Sequence, residues 1–221
     1  SLVLTSNGAA VWELGRRPLD AVYSRWGERR GTPAGVLPPD ARLLSLTPLN
    51  GAQAAQVLAV LTPFLPGNLK AFIRGRSVSE EPSYRWEQRY GNVGFRPGPG
   101  LTTVVDDLPA YAAAHAGELE KVCMFFNDDK TLQAARRALA ALPGIEVVQG
   151  SPDNLEVTAP GVDKGTGLAA ACAALQIPVE QALAIGDSEN DWGMLRAAGL
   201  SAAMANATPE TKALADYVAA A

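Results

Sequence analysis

The sequence predicts an α/β fold in which a parallel sheet is interrupted by a second, inserted α/β module. From Pro160 onward, short apolar runs alternate with segments of helical spacing, which is typical of a parallel sheet with crossover helices. Before Pro160, several strand-like runs lie close together between Gly- and Pro-containing turns, which indicates a module rich in hairpins. The chain has 221 residues, which is enough for both parts.

The net charge, the lengths of the apolar runs and the positions of the cysteines indicate which partners and location to expect. The formal net charge is −4 and the 19 Lys and Arg residues are scattered, so we expect no nucleic-acid partner. No apolar run reaches the length of a membrane span and no signal-peptide pattern is present, so we expect no membrane partner and a cytoplasmic location. Cys123 and Cys172 each lie within an apolar run and are predicted to be buried small hydrophobic residues.

The elements can be predicted in chain order. The apolar run Leu2 to Thr5 predicts a strand that ends in a tight turn at Ser6-Asn7-Gly8, and residues 14–42 are interpreted as an irregular connection. In the middle of the chain we predict helices over 53–65, 108–119 and 130–142, strands over 69–73, 84–90, 101–105 and 121–126, and a hairpin that pairs 145–148 with 155–158. After Pro160 we predict helices over 164–175, 191–197 and 208–215, and strands over 183–185, 201–205 and 217–218.

Two carboxylates and an amide lie where the strand predicted at 183–185 meets the next helix. They belong to the stretch from Gly186 to Asp191, which has the letters GDSEND. In an open α/β sheet ligands bind at the carboxyl ends of strands, and carboxylate oxygens suit Mg²⁺. Acidic residues can also simply cap the following helix. Because Gly-Asp is followed by Asn-Asp directly after an apolar strand, we favour the metal site.

Lys164 begins a predicted helix in the segment Asp163-Lys164-Gly165-Thr166-Gly167. The unpaired backbone N–H groups of a first helical turn attract anions, and the lysine adds a positive charge. Taken alone, a surface lysine at the start of a helix is the better explanation of this segment. The segment is not a P-loop, because the G-x-x-x-x-G-K spacing is absent.

Together these segments resemble a haloacid dehalogenase (HAD) superfamily phosphatase of the Cof type, with a type IIB cap. The resemblance rests on LEVTAPGVDKG from Leu155, on GDSEND, on AMANA from Ala203, and on TSNGA from Thr5, which is similar to the family's third core strand and turn. It implies a Rossmann-like core with a parallel sheet, incomplete here, and an inserted α/β cap. The core would comprise residues 1–44 and 161–221, and the cap residues 45–160. Ala205 departs from the glycine that is usual in the family.

The resemblance also implies roles for particular residues. Lys164 would steady the phosphate and the nucleophile. Mg²⁺ would be the cofactor, bound by Asp187 and Asp191. The residues that would organise the site are Asn190 and Asp191, and those that would line the substrate are Lys164, Asn7 and Asn206.

The implied activity is hydrolysis of small phosphorylated metabolites, such as sugar phosphates or phosphorylated cofactors, through an aspartyl-phosphate intermediate. Two alternatives remain open: a phosphomutase of the same fold, and a non-catalytic relative that binds phosphorylated ligands. The cap would select the substrate. The candidate contacts there, which can equally be surface or packing residues, are Arg74, Arg76, Tyr84 and Trp86.

The family's nucleophile motif, Asp-x-Asp-Gly-Thr, does not occur in this sequence, where no aspartate is followed two positions later by another. In the family, the strands that carry this motif and the next one lie between the strands that correspond to Leu2–Thr5 and 183–185. An empty centre of a parallel sheet would leave backbone groups unpaired. We therefore expect that a missing N-terminal segment completes the sheet and that the fragment alone is inactive.

Overall fold

The computed structural model describes residues 2–14, 41–90 and 102–220, and it confirms the predicted α/β class. These residues form seven α-helices and three sheets, which we call the N-terminal, middle and C-terminal sheets. The connection predicted over 14–42 lies almost wholly outside the described residues.

The N-terminal sheet is a three-stranded antiparallel sheet of order β1-β2-β3. Its strands are β1 (Leu2–Thr5), β2 (Ala10–Glu13) and β3 (Arg42–Leu46). The prediction found β1 and the turn after it but missed β2 and β3. Ala10 and Trp12 of β2 form a small buried cluster with Leu14.

The middle sheet has six strands in the order β6-β5-β4-β7-β9-β8, and only β5 and β6 pair in parallel. The strands are β4 (Asn68–Ile73), β5 (Arg76–Glu80), β6 (Thr102–Val105), β7 (Leu119–Phe125), β8 (Glu146–Val148) and β9 (Asn154–Thr158). The predicted hairpin is therefore confirmed as β8 and β9. All six lie inside the segment 45–160 predicted as a cap, whose boundaries stay a prediction.

Three helices cover one face of the middle sheet: α1 (Gly51–Leu61), α3 (Leu108–Ala114) and α4 (Asp129–Leu139). Their apolar residues, among them Leu58 and Leu132, join Met124, Leu155 and Val157 of the strands in the main hydrophobic core. Helix α1 begins two residues before the predicted start, because Asn50 forms a capping box with Gln53.

The strand predicted over 84–90 is wrong. These residues belong to helix α2 (Glu81–Tyr90), and the strand that precedes it, β5, was missed. The helix buries Ser83 and Glu87, which lie one helical turn apart. Because its inward face is polar, apolar periodicity could not reveal the helix, and the alternating Tyr84 and Trp86 imitate a strand pattern.

The C-terminal sheet is parallel, as predicted, with the order β10-β11-β12. Its strands are β10 (Leu183–Gly186), β11 (Leu200–Ala203) and β12 (Tyr217–Val218), and its helices are α5 (Lys164–Leu175), α6 (Trp192–Ala197) and α7 (Pro209–Leu214). Within the described residues β10 pairs only with β11, and β1 lies in a different sheet. A segment that completes the sheet between them stays a prediction.

Two further features bear on the expectations from composition. Cys123 and Cys172 are buried and free, as predicted. In the described part of the chain, no helix combines the length and the apolar character needed to span a membrane.

Candidate active site

The site is built at the end of β10, where the strand passes into the single 3-10 turn Glu189–Asp191 and then into α6. Gly186 lies directly against the side chain of Asp191. A Cβ atom at Gly186 would stand 2.4 Å from the Cβ of Asp191, which is too close for any side chain. Glycine at this position therefore lets the Asp191 carboxylate fold back under the end of the strand.

Asp191 organises this turn through both carboxylate oxygens. Its Oδ2 accepts the backbone N–H of Asp187 at 2.8 Å and that of Ser188 at 3.3 Å, and its Oδ1 accepts a hydrogen bond from Lys164 Nζ at 2.5 Å. Burial alone would raise the pKa of Asp191, but the hydrogen bonds from Lys164 and the Asp187 backbone outweigh it and hold the pKa below its usual value. Asp191 is therefore held as a carboxylate.

Lys164 reaches Asp191 because α5 starts beside α6. Asp163 caps α5, and its side chain accepts the backbone N–H of Thr166 at 2.7 Å. A Cβ atom at Gly165 would stand 2.5 Å from the carbonyl oxygen of Gly193, so two glycines allow the first turns of the helices to touch. The structure thus brings Lys164, Asp187 and Asp191 together at the carboxyl end of a parallel strand.

Asp187 has the more open carboxylate of the two aspartates. It is half-buried, and its Oδ1 accepts a hydrogen bond from Ser188 Oγ at 3.2 Å. Ser188 Oγ also lies 3.0 Å from Asn190 Oδ1, which orients that amide. In the described residues no group of three or more His, Cys, Asp or Glu side chains is arranged to hold a metal ion. The carboxylate of Asp187 fits Mg²⁺, which commonly takes one or two carboxylates together with substrate phosphate oxygens and water. Both oxygens of Asp191 already accept hydrogen bonds from the protein.

Asn7 lies in a turn of unusual backbone geometry. Ser6, Asn7 and Gly8 have φ angles of 52°, 58° and 91°, so three successive residues are left-handed. A Cβ atom at Gly8 would stand 2.2 Å from the carbonyl oxygen of Asp163, so the turn packs tightly against the start of α5. Asn7 therefore stands near Lys164 despite their distance in sequence.

Asn206 is less closely attached to the site. Its side chain is exposed on the turn after β11, and it makes no hydrogen bond to the other candidate residues in the described part of the chain. The turn itself lies beside Asp187, because the backbone N–H of Thr208 donates to the Asp187 carbonyl at 3.1 Å.

The middle sheet contributes a residue that the sequence did not single out. Glu156 of β9 accepts a hydrogen bond from Asn7 Nδ2 at 2.6 Å and forms an ion pair with Lys121 at 3.0 Å. Burial would raise the pKa of Glu156, but Lys121 and Asn7 outweigh it, helped by the charge of Lys164, and the pKa lies below its usual value. The signal available in the sequence was a glutamate between the apolar Leu155 and Val157, which places it on the opposite face of the strand.

The four cap residues singled out from sequence lie elsewhere. Arg74 forms an ion pair with Glu118 and its side chain is 68% exposed, and Trp86 Nε1 donates to Asn127 at 3.0 Å. Arg76 is exposed and Tyr84 is half-buried on α2.

The C-terminal half of the chain assigns it to a protein family. A family model described as haloacid dehalogenase-like hydrolase matches residues 106–221, and the chain belongs to this family. The match includes both Lys164 and the turn from Gly186 to Asp191.

Two curated relatives illustrate the range within the family. The chain is 42% identical over 92 residues to the 5-amino-6-(5-phospho-D-ribitylamino)uracil phosphatase YcsE of Bacillus subtilis (strain 168), a match that covers 42% of this chain and 37% of YcsE. It is 45% identical over 64 residues to a phosphoglycolate phosphatase of Methanothermobacter thermautotrophicus, covering 29% of each protein. The matched part of the chain thus spans about a third of the length of these relatives.

Solved structures support the fold. A haloacid dehalogenase-like hydrolase from B. subtilis superimposes with a TM-score of 0.73 at 20% identity, covering 99% of this chain and 74% of that one. A sugar phosphatase of HAD subclass IIB superimposes with a TM-score of 0.63 at 21% identity, covering 80% and 64%. The arrangement of the sheets is therefore that of HAD subclass IIB hydrolases.

Proposed function

We propose that this chain belongs to a Mg²⁺-dependent phosphatase that hydrolyses small phosphorylated metabolites, such as sugar phosphates or phosphorylated cofactors, in the cytoplasm. The observation that carries the proposal is the ion pair between Lys164 and Asp191, set against Asp187 at the carboxyl end of β10. A lysine at the start of a helix, with carboxylates beside it, provides both an anion site and oxygen ligands for a cation.

Each residue has a definite task in this proposal. Lys164 binds the phosphate, and Asp191 fixes the ammonium group and the backbone of the turn at Asp187. Asn190 and Asp191 organise the site, and Asn7 and Asn206 line the substrate. Mg²⁺ would be held by Asp187 and Asp191 and would neutralise charge on the phosphoryl oxygens.

The nucleophile in this proposal is an aspartate outside residues 1–221. It attacks phosphorus and displaces the alcohol of the substrate, and water then hydrolyses the aspartyl-phosphate to free phosphate and the carboxylate. Two observations support it: the sequence has no Asp-x-Asp, and Leu183 and Ile185 of β10 are 57% and 55% exposed. Parallel strands are normally covered on both faces and paired at the centre of a sheet. A further segment with the nucleophile strand would meet both needs.

The relatives support the substrate class but leave the compound open. YcsE is named for a ribityl phosphate compound and the archaeal relative for phosphoglycolate, and both are small phosphomonoesters. The net charge of −4 and the scattered cations give no support for a nucleic-acid partner.

Phosphate release by the full-length gene product, measured with Mg²⁺ on a panel of phosphorylated metabolites, tests the proposal. We expect turnover that EDTA abolishes and that Asp187→Asn lowers by at least about 100-fold. Glu210→Gln, at an exposed position in the first turn of α7, is the matched control and should retain activity.

Other outcomes would favour the alternatives. A folded protein that binds phosphorylated ligands without turnover would indicate a non-catalytic relative. Interconversion of sugar phosphate isomers without net phosphate release would indicate a phosphomutase.

A further inference from the structure

The middle sheet has a polar face, opposite to the one that α1, α3 and α4 cover. The strand register places Lys70 opposite Cys123 and Cys123 opposite Glu156, while Phe72 lies opposite Lys121. Side chains at these paired positions project to the same side of a sheet. The Lys121 ammonium confirms this placement, because it lies 4.8 Å from the centroid of the Phe72 ring.

Both described lysines of the polar face are matched by a glutamate. Lys70 is paired with Glu87 of α2, and the two side chains are 5% and 0% exposed. Lys121 is paired with Glu156, and these side chains are 11% and 12% exposed. Each charge can be buried only beside its partner, since an unpaired ion in these surroundings would strongly destabilise the fold. The described part of this face therefore buries two ion pairs, and it also carries the exposed carboxylate of Glu146, which the register of β8 and β9 places on the same side as Glu156.

The Lys121–Glu156 pair lies at the end of this face that meets the phosphate site. Glu156 contacts Asn7 directly, at 2.6 Å. A Cβ atom at Gly150 would stand 3.2 Å from Asn190 Nδ2 and 3.4 Å from Glu156 Oε1, so Asn190 and Glu156 border the same small space. Glu156 also lies close enough to Lys164 for the lysine charge to act on its carboxylate, so a phosphomonoester whose phosphate bound at Lys164 would have this pair beside its organic part.

Resting on the proposed phosphatase function, we propose that Lys121 and Glu156 select the organic part of the substrate, favouring uncharged polyhydroxyl groups over groups that carry a carboxylate. The ammonium donates to hydroxyl oxygens and the carboxylate accepts hydroxyl protons. A carboxylate on the substrate would compete with Glu156 for the Lys121 ammonium and would lie beside the Glu156 carboxylate, whereas a hydroxyl group can bond to both members of the pair. Specificity of this kind comes from the repulsive group as much as from the attractive one.

Equilibrium binding to the full-length gene product, measured by calorimetry in EDTA so that the ligands are not hydrolysed, tests this selection with two pairs of ligands. The pairs are sorbitol 6-phosphate with 6-phosphogluconate, and glycerol 3-phosphate with 3-phosphoglycerate, and each differs in one CH₂OH or carboxylate group. We expect the polyol phosphate to bind more tightly in at least one pair. Glu156→Gln should shift that preference about tenfold or more toward the carboxylate, because Lys121 is then unneutralised. Lys121→Gln should shift it the other way.

Glu81→Gln is the matched control, since Glu81 lies on α2 in an exposed pair with Arg85 and its loss should leave the preference unchanged. Equal loss of affinity for both members of each pair in Glu156→Gln would show that Glu156 only holds Asn7, and it would overturn the inference. Absence of binding by all four ligands would overturn it too. The proposed function has its own readout: if the ligands bind with the expected preference but no phosphate is released, the phosphatase proposal fails and the selection stands.

Discussion

The middle sheet and the C-terminal sheet both contain apolar strands. The large apolar side chains are mostly buried in the first sheet and exposed in the second. Met124, Leu155 and Val157 of the middle sheet are 0% exposed, whereas Leu183 and Ile185 of β10 are 57% and 55% exposed. The difference lies in what covers each strand. The middle sheet has three helices packed on its apolar face and buried ion pairs on the other, while β10 has a neighbour on one side only within the described residues.

This contrast separates a sheet whose large apolar side chains are buried from a strand whose large apolar side chains are exposed. Loss of a contact in a closed core removes buried area and leaves a cavity. Loss of an exposed side chain changes little until a partner covers it. Substitutions in the two sheets should therefore lower the free energy of unfolding by very different amounts.

The largest effect is expected at Glu87, the buried partner of Lys70. Glu87→Gln leaves a buried ammonium without a counter-charge, and the free energy of unfolding should fall by about 3–5 kcal/mol in urea titrations. Glu81→Gln breaks an exposed pair on the same helix and should cost less than about 1 kcal/mol. An equal loss of unfolding free energy in the two variants would mean that the Lys70–Glu87 pair is not shielded from water.

The two sheets can be compared directly with matched truncations. Leu155→Ala in β9 should cost about 3 kcal/mol, because it opens a cavity in the main core. Ile185→Ala in β10 should cost less than about 1 kcal/mol in the protein of residues 1–221, because its side chain is 55% exposed. In the full-length gene product the cost of Ile185→Ala should rise if a further strand covers β10. An unchanged small cost there would contradict the proposed missing strand.

A smaller effect is expected where the N-terminal sheet joins the middle sheet. Glu120 accepts hydrogen bonds from Thr5 Oγ1 at 3.0 Å, from Ser6 Oγ at 2.7 Å and from the backbone N–H of Gly75 at 2.6 Å. Glu120→Gln retains the shape but loses the charge-assisted acceptor, and we expect a loss of about 1–2 kcal/mol in urea titrations. No measurable loss would show that the turn at Ser6 holds its left-handed backbone without help from the middle sheet.

The smallest effect is a pH dependence at Glu156. Because its folded pKa lies below the ordinary value of 4.5, its contribution to stability is present above that pH and disappears as the pH falls through the folded pKa. The difference in unfolding free energy between the parent and Glu156→Gln should therefore shrink as the pH falls below 4.5. Chemical denaturation at several pH values measures this difference, and a gap that widens toward low pH would contradict the assignment.

Much of the fold could be predicted from sequence wherever one physical signal dominated. The alternation after Pro160 correctly predicted the parallel C-terminal sheet, and the apolar run near Lys121 correctly predicted β7. Prediction failed at α2, whose buried positions Ser83 and Glu87 are polar, so that burial left no apolar period to detect. It also failed at β2 and β3, whose pairing joins Ala10 to Leu46 across a long connection.

The candidate site shows the same limit. Lys164 and Asp187 could be found because each lies in a local motif at the start of a helix or the end of a strand. Glu156 could not, because its importance arises from contacts with Asn7 and Lys121, which are distant in sequence. For Asp191 the metal-ligand role remains a prediction, since both of its oxygens accept hydrogen bonds from the protein.

The glycine contacts beside Asn7 bring together the two ends of the segment that contains the middle sheet. Gly8 touches Gly167 and the carbonyl of Asp163, and the backbone N–H of Thr47 donates to Ala9 at 2.8 Å. The chain thus enters the middle module and leaves it at almost the same place. Insertion of a folded unit is tolerated when its two ends lie together. A short loop between residues near 47 and 160 should therefore be able to replace the middle sheet and its helices. The rest of the chain could then accept a different inserted module without a change of its own fold.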